Sequence, residues 1–382
     1  MEGIEKIPLF DNHSHELDYE KCSYTPTELS ISYLHGFRDI EGGGAGGEDW
    51  VSEEQAFDLQ HFGVVKTMVC HLSKRFGCGA TLEEVAAHRN RLTKEGQWEY
   101  AVSLYKDQNI AGTMVDSGLP MRDERTKFPC RVFRLYRMDP VLEHLYLSCG
   151  TYTDLKREFL EKVSAAIEEG YAGIKCHIGE LFGLAVYPVT EYEAEKAFPS
   201  FLMGDEKASE IIYFALFSEL MKLCGEKDTP IHIHTGCTGG SGNGKIQNLD
   251  PFLMAPYLNN REYQKTKIVF LHGSYPNVRN AALMTHMFPN VWMDLSWVLP
   301  WTSLDFAAIL QAVLGAAPHS RILVGTGQHG IPEMAWIAAK TIRSALGDVL
   351  DHAVAQDILT GEQAYEAAEM ILYGNAARMY RL

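Results

Sequence analysis

From about residue 110 onward the sequence repeats one alternation, and that alternation limits the fold more than any other feature. Short runs rich in β-branched residues lie at 110–116, 131–138, 172–178, 231–235, 268–272, 291–295 and 322–326, with helical spacing between them. An eighth run, the apolar lead into Asp11, stands near the start of the chain. Helical patterns cover 153–169, stopped by Gly170, and 206–223, 332–346 and 362–380. Strands alternating with helices predict a parallel sheet, and eight repeats predict an α/β fold of the (β/α)8 TIM-barrel type. The segment from about 17 to 110 breaks the rhythm and reads as a mostly helical insertion after the first strand. Ser52-Glu53-Glu54-Gln55 looks like a helix start, and Thr81-Leu82-Glu83-Glu84 fits a capping box. Residues 64–70 suit either a strand or a helix. Residues 1–382 are expected to form one barrel domain that carries this insertion.

Charge and cysteine usage narrow the function classes. A net charge of −16, with no basic stripe, excludes a nucleic-acid partner. The eight cysteines form no C-x-x-C pair and no evenly spaced framework, so they are expected to be thiols in the cytoplasm. No apolar run approaches the roughly 20 residues of a membrane helix, and no N-terminal basic-plus-apolar signal is present. The expected partner is a small-molecule substrate. Barrels of this kind often associate, so a homo-oligomer is compatible with the sequence, but no feature sets its number.

The histidines carry the chemistry. His13 and His15 alternate at the end of the first run, so both point to one face of an extended chain. Such a pair can hold zinc, iron, nickel or copper, or it can be a pair of surface histidines near a terminus. A second alternating pair, His232 and His234, ends the 231–235 run, and His272 ends the next. Barrel active sites lie at the C-terminal ends of the strands. Imidazoles from three strand ends therefore predict a metal site.

The segments D-N-H-S-H, I-H-I-H-T-G, F-L-H-G-S-Y-P, M-D-L-S and G-T-x-x-H-G-I-P-E resemble the amidohydrolase superfamily. Within it they are similar to the branch of nodulin-like proteins associated with glutamine-synthetase-type domains. The likeness runs in order along most of the chain and is strongest from residue 110. It implies His13, His15, His234 and His272 as metal ligands, with His232 lining the pocket. It implies one divalent ion, zinc before manganese or iron, and a metal-activated water attacking an amide-type C–N bond. It also implies an aspartate after the eighth strand that binds metal and handles a proton, worth ~10²–10⁴-fold in rate. This chain has Gly327 there. Gln328 has the wrong parity, and His329 has the right parity but lies past the strand end. Either the chain is a disabled variant, or it has diverged to chemistry that does without that base. Slow hydrolysis, rescued by Gly327→Asp, is the expectation. The alternatives are a metal-dependent decarboxylase of a small acid and a non-catalytic ligand-binding barrel.

Further residues are candidates for substrate binding. Lys175 ends the fourth run; in some superfamily members a modified lysine there bridges two metals, but a substrate-facing or solvated lysine is the preferred reading. Arg134 and Arg137 could clamp a carboxylate, and their opposite parity lets only one face the interior. Asp294 could orient a ligand histidine. Gly239 to Lys245 fits G-x-x-x-x-G-K but ends in Ile246 where magnesium binding needs a hydroxyl, so it reads as a lid over the barrel mouth. The glycines of 42–47 read as a plain loop.

Overall fold

A computed structural model describes residues 1–34, 52–123, 126–237, 247–298 and 302–382. The glycine-rich stretches at 42–47 and 239–245 lie outside the described residues. The eight expected strands form: β1 Leu9–Ser14, β2 Ile110–Val115, β3 Arg131–Arg137, β4 Gly173–Cys176, β5 Ile231–Ile233, β6 Ile268–Phe270, β7 Val291–Asp294 and β8 Ile322–Leu323. They follow one another in sheet order β1 to β8, and the fold is a (β/α)8 barrel. The described chain falls into two compact units, one built from Met1–Val132 and Asp294–Leu382, the other from 133–237 and 247–293.

In the first unit β1 pairs in parallel with β2, Asp11 beside Thr113 and Ser14 beside Val115. On its other side β1 meets the segment after β8. The Asn12 amide donates to the Val324 carbonyl at 2.9 Å, Gly327 N–H to the His13 carbonyl at 2.9 Å, and His15 N–H to the Gln328 carbonyl at 2.7 Å. The region after β1 is helical: α1 Pro26–Tyr33, α2 Glu53–His61, α3 Gly63–Phe76 and α4 Leu82–Asp107. Ser52 caps α2 in a full capping box, and the Thr81 side chain accepts from Glu84 N–H at the head of α4. The ambiguous 64–70 run lies within α3. Its Val64, Val65 and Met68 are buried in one cluster with Leu82, Val85 and Trp336, and only a helix can turn that face inward. The insertion is fastened by a buried ion pair, Arg89 Nε to Glu333 Oε1 at 2.8 Å, with the guanidinium 4.5 Å above the Tyr24 ring.

In the second unit β3 to β7 run in parallel register. One row across it reads Ile174, Ile231, Ile268 and Val291, and these pack in a core with Phe159, Val163, Phe217 and Leu220 from the covering helices. The next row reads Arg137, Lys175, His232, Val269 and Trp292. Successive strand residues face opposite sides, so this second row turns to the barrel interior. Gly170 ends the helix Tyr152–Glu169 in the left-handed conformation at φ 108°, as the sequence predicts. The last predicted helix, 362–380, is interrupted: Gly361–Glu369 is followed by a π-turn at Met370–Gly374 and then Asn375–Tyr380.

Candidate functional site

β1 delivers His13 and His15 at its C-terminal end, as alternation requires. Their rings are 5.0 Å apart and perpendicular. Asp116, the residue immediately after β2, completes a group. One donor atom from each of His13, His15 and Asp116 lies within 4.8 Å of the others, with His13 and Asp116 buried and His15 half-buried. The Asp116 amide donates to the Ser14 carbonyl at 2.8 Å, which fixes it beside the strand end. Donors about 2.0–2.2 Å from one ion lie within about 4.4 Å of each other, so a small side-chain adjustment would bring the three onto a single cation. Two imidazoles and a carboxylate suit zinc, iron or manganese.

Around this trio the backbone is tightly determined. Asp11 accepts from Thr326 N–H at 2.7 Å and from its hydroxyl at 2.5 Å. Burial pushes the Asp11 carboxyl up to about 7, against the Thr326 hydrogen bonds that pull it down. Asp294 accepts from Asn12 Nδ2 at 3.0 Å and from Ser296 N–H at 2.9 Å, and Tyr380 donates to Asn12. The described bonds of Asp294 therefore hold the loop after β7 and the start of the β1 motif. His329, past the end of β8, stacks on His15 with ring centroids 3.6 Å apart and planes 15° apart, and Trp297 lies 5.5 Å from His329.

Gly327 occupies a place that a side chain cannot enter. Its φ is +62°, and a Cβ there would lie 2.5 Å from Trp297 Cδ1 and 2.9 Å from Trp297 N. The structure therefore argues against the simple rescue expected of Gly327→Asp: the new carboxylate would displace Trp297 before it reached any partner.

The second unit holds a different group. His232 lies within β5 and His234 just after it, His272 follows β6, and Lys175 lies within β4 with His177 just after it. The His234 and His272 rings are 4.4 Å apart. His234 Nε2 lies 3.1 Å from the Cys237 carbonyl, which can only accept, so that nitrogen carries the proton and Nδ1 faces elsewhere. His272 sits at φ +64° in a tight turn. His177 is a residue the sequence reading passed over. Its Nδ1 donates to Asp139 at 2.7 Å, and Asp139 also accepts from Tyr213 and from His177 N–H. Glu180 stands 3.8 Å from both His177 Nε2 and His234 Nε2. Burial lowers His234 to about 4, Glu180 opposing and Lys175 assisting. Burial also pushes the Glu180 carboxyl up, but His234, His177 and Lys175 outweigh it and hold the group below its usual range.

The remaining candidates are placed as follows. Lys175 is buried, 1% exposed, which corrects the solvated reading; it shares the interior-facing row with His232. Arg137 stands in that row and Arg134 faces the opposite side of β3, so the parity argument selects Arg137. Of the residues missed, Asp116 was visible as the last residue of a predicted strand, whereas nothing in the local pattern marks Asp139 as the partner of His177.

The pattern of the amidohydrolase family matches residues 182–382, just over half of the chain. The chain belongs to that family. The fluG protein of Emericella nidulans is 30% identical over 246 residues, covering 60% of this chain and 28% of the relative, so the chain spans little more than a quarter of that protein's length. Among solved structures, a candidate metal-dependent hydrolase from Lactobacillus casei ATCC 334 superposes with a TM-score of 0.81 at 20% identity, over 99% of this chain and 96% of that one. The uronate isomerase of Thermotoga maritima gives 0.72 at 15% identity, over 98% and 95%. At such identities the two structures share the barrel fold with this chain, and one barrel fold carries many reactions.

Proposed function

We propose that the protein is a metal-dependent hydrolase that cleaves amide-type C–N bonds in a small polar substrate, γ-glutamyl amides being the first class to try. The observation that carries this reading is the His13–His15 pair at the C-terminal end of β1, 5.0 Å ring to ring, in a member of the amidohydrolase family. Those two imidazoles would hold the ion, and the family pattern adds His234 and His272 to the ligand set. We favour one ion, zinc before manganese or iron. When bound, such an ion acidifies water and polarises a carbonyl.

The chain's own residues supply orientation. His329 packs flat on His15 and fixes its ring plane. Lys175, His232 and Arg137, in one interior-facing row, offer two positive charges and an imidazole to an acidic substrate. Asp294 holds the β1 motif through Asn12. With glycine at 327, no carboxylate from that position returns a proton to a leaving nitrogen. Decarboxylation of a small acid is a second reading, since no amine leaves; the carbon that loses CO2 would take its proton from water or from a group other than residue 327. A barrel that only binds its ligand is the third.

We assign the protein to the cytoplasm, supported by eight cysteines that are all free thiols. Among the described residues no helix is long and apolar enough to cross a membrane. Small molecules, with or without further copies of the chain, are its proposed partners. The test is incubation of zinc- or manganese-loaded protein with a panel of γ-glutamyl amides and small carboxylic acids. Amine release supports the hydrolase, CO2 release supports the lyase, and tight binding with neither product leaves only the ligand-binding role.

A further inference from the structure

We infer that Asp116, from β2, is the carboxylate ligand of this protein's metal, in the role that the family resemblance gives to an aspartate after β8. The inference rests on the metal-dependent reading above and deepens it. Three observations carry it. The β1–β2 register sets Ser14 beside Val115, so the residues that follow the two strands, His15 and Asp116, are neighbours at the same edge. The side chains follow: one donor atom each from His13, His15 and Asp116 gather within 4.8 Å, and this is the one group of at least three His, Cys, Asp or Glu donors found so close among the described residues. Finally, the position after β8 is closed, because Gly327 is held at φ +62° with Trp297 filling the volume of its Cβ.

The chemistry is consistent with such an exchange. A divalent ion on neutral imidazoles alone keeps its full double charge in a buried site, and one carboxylate halves it. That carboxylate can enter from either strand end next to the histidine strand. β2 lies on one side of β1 and the segment after β8 on the other. Here the β8 side instead contributes Thr326 to Asp11 and His329 to the face of His15. One side of β1 thus lacks a carboxylate at 327, and Asp116 offers one from the other side.

Direct ion binding tests this without any assay of turnover. Wild type, Asp116→Asn, Asp116→His and Gly327→Asp would be stripped of metal and titrated with zinc and with manganese against a chromophoric chelator. Thermal melts of the stripped proteins would confirm that each is folded. Asp116→Asn is expected to weaken zinc binding about 100-fold or more. Asp116→His keeps a donor and should stay within about tenfold of wild type. Gly327→Asp should bind no more tightly than wild type and melt earlier. If wild type binds an ion and folded Asp116→Asn binds it equally well, the assignment of Asp116 fails while the metal-dependent reading stands. If wild type binds neither ion, that reading falls and the assignment falls with it.

Discussion

The two histidine groups of this molecule are built on opposite principles. In the first unit, His13 and His15 come from a single strand and meet one carboxylate, Asp116, and the stacked ring of His329. In the second unit, imidazoles and carboxylates alternate: Asp139 with His177, His177 with Glu180, Glu180 with His234. The first arrangement gathers donors toward one point, as a cation requires. The second sets His177 and His234 on either side of Glu180, each with a ring nitrogen 3.8 Å from a carboxylate oxygen, and hydrogen-bonds His177 to Asp139. The same residue types therefore stand in different surroundings. A census of histidines along the sequence cannot separate the two.

Four experiments would break or sharpen that contrast, taken from the largest expected effect downward. Replacing both His13 and His15 with alanine should lower zinc affinity at least about 1000-fold, since two of the imidazole donors go at once. Equilibrium titration against a chelator reads this, and affinity retained within tenfold would remove the first group from metal binding. Next, Arg89→Met leaves Glu333 buried without its cation and should destabilise the first unit by about 3–5 kcal/mol. Urea denaturation followed by tryptophan fluorescence measures it, and a loss under about 1 kcal/mol would mean that the insertion is not held by this pair.

The third concerns pH and the second group. His234 is lowered to about 4 in the fold from an ordinary value near 6.5, so the unfolded chain takes up its proton first as pH falls. The contribution is complete above about pH 6.5, declines as pH drops toward 4, and amounts to something on the order of 3 kcal/mol. In metal-free protein, His234→Gln should flatten the stability profile across that window. An unchanged slope would show that His234 is not the group responsible. The smallest effect is expected for Asp139→Asn, which keeps the shape of the side chain but weakens its bonds to His177 and Tyr213. About 1–2 kcal/mol of stability should be lost. The His177 ring nitrogens, followed by nitrogen NMR, should lose the fixed Nδ1–H tautomer, and a tautomer unchanged by the substitution would show that Asp139 does not orient the ring.

Much of the architecture was legible in the sequence because it follows from local rules. Every predicted strand formed, since short β-branched runs between helical stretches have few other outcomes in a chain of this size. Each strand from β2 to β8 ends before its predicted run does. Val324, for example, bonds to Asn12 beyond the last residue of β8, so pairing continues where regular strand geometry has stopped. The 64–70 run could not be assigned from its own residues, and what decided it was burial of one helical face in a cluster that includes Trp336, more than 260 residues away in the sequence. The His13–His15 pair was visible because alternation along a strand is a local property.

The sequence alone determined the order of strands and helices, the histidines at the strand ends and the lack of an aspartate at 327, because each is set by identity and short-range spacing. Only the tertiary structure decided which carboxylate meets those histidines, which imidazole Asp139 holds, and that Trp297 closes position 327. Those outcomes depend on side chains distant in sequence reaching the same few ångströms of space. Close packing there admits one occupant, and no local pattern in the chain records which it will be.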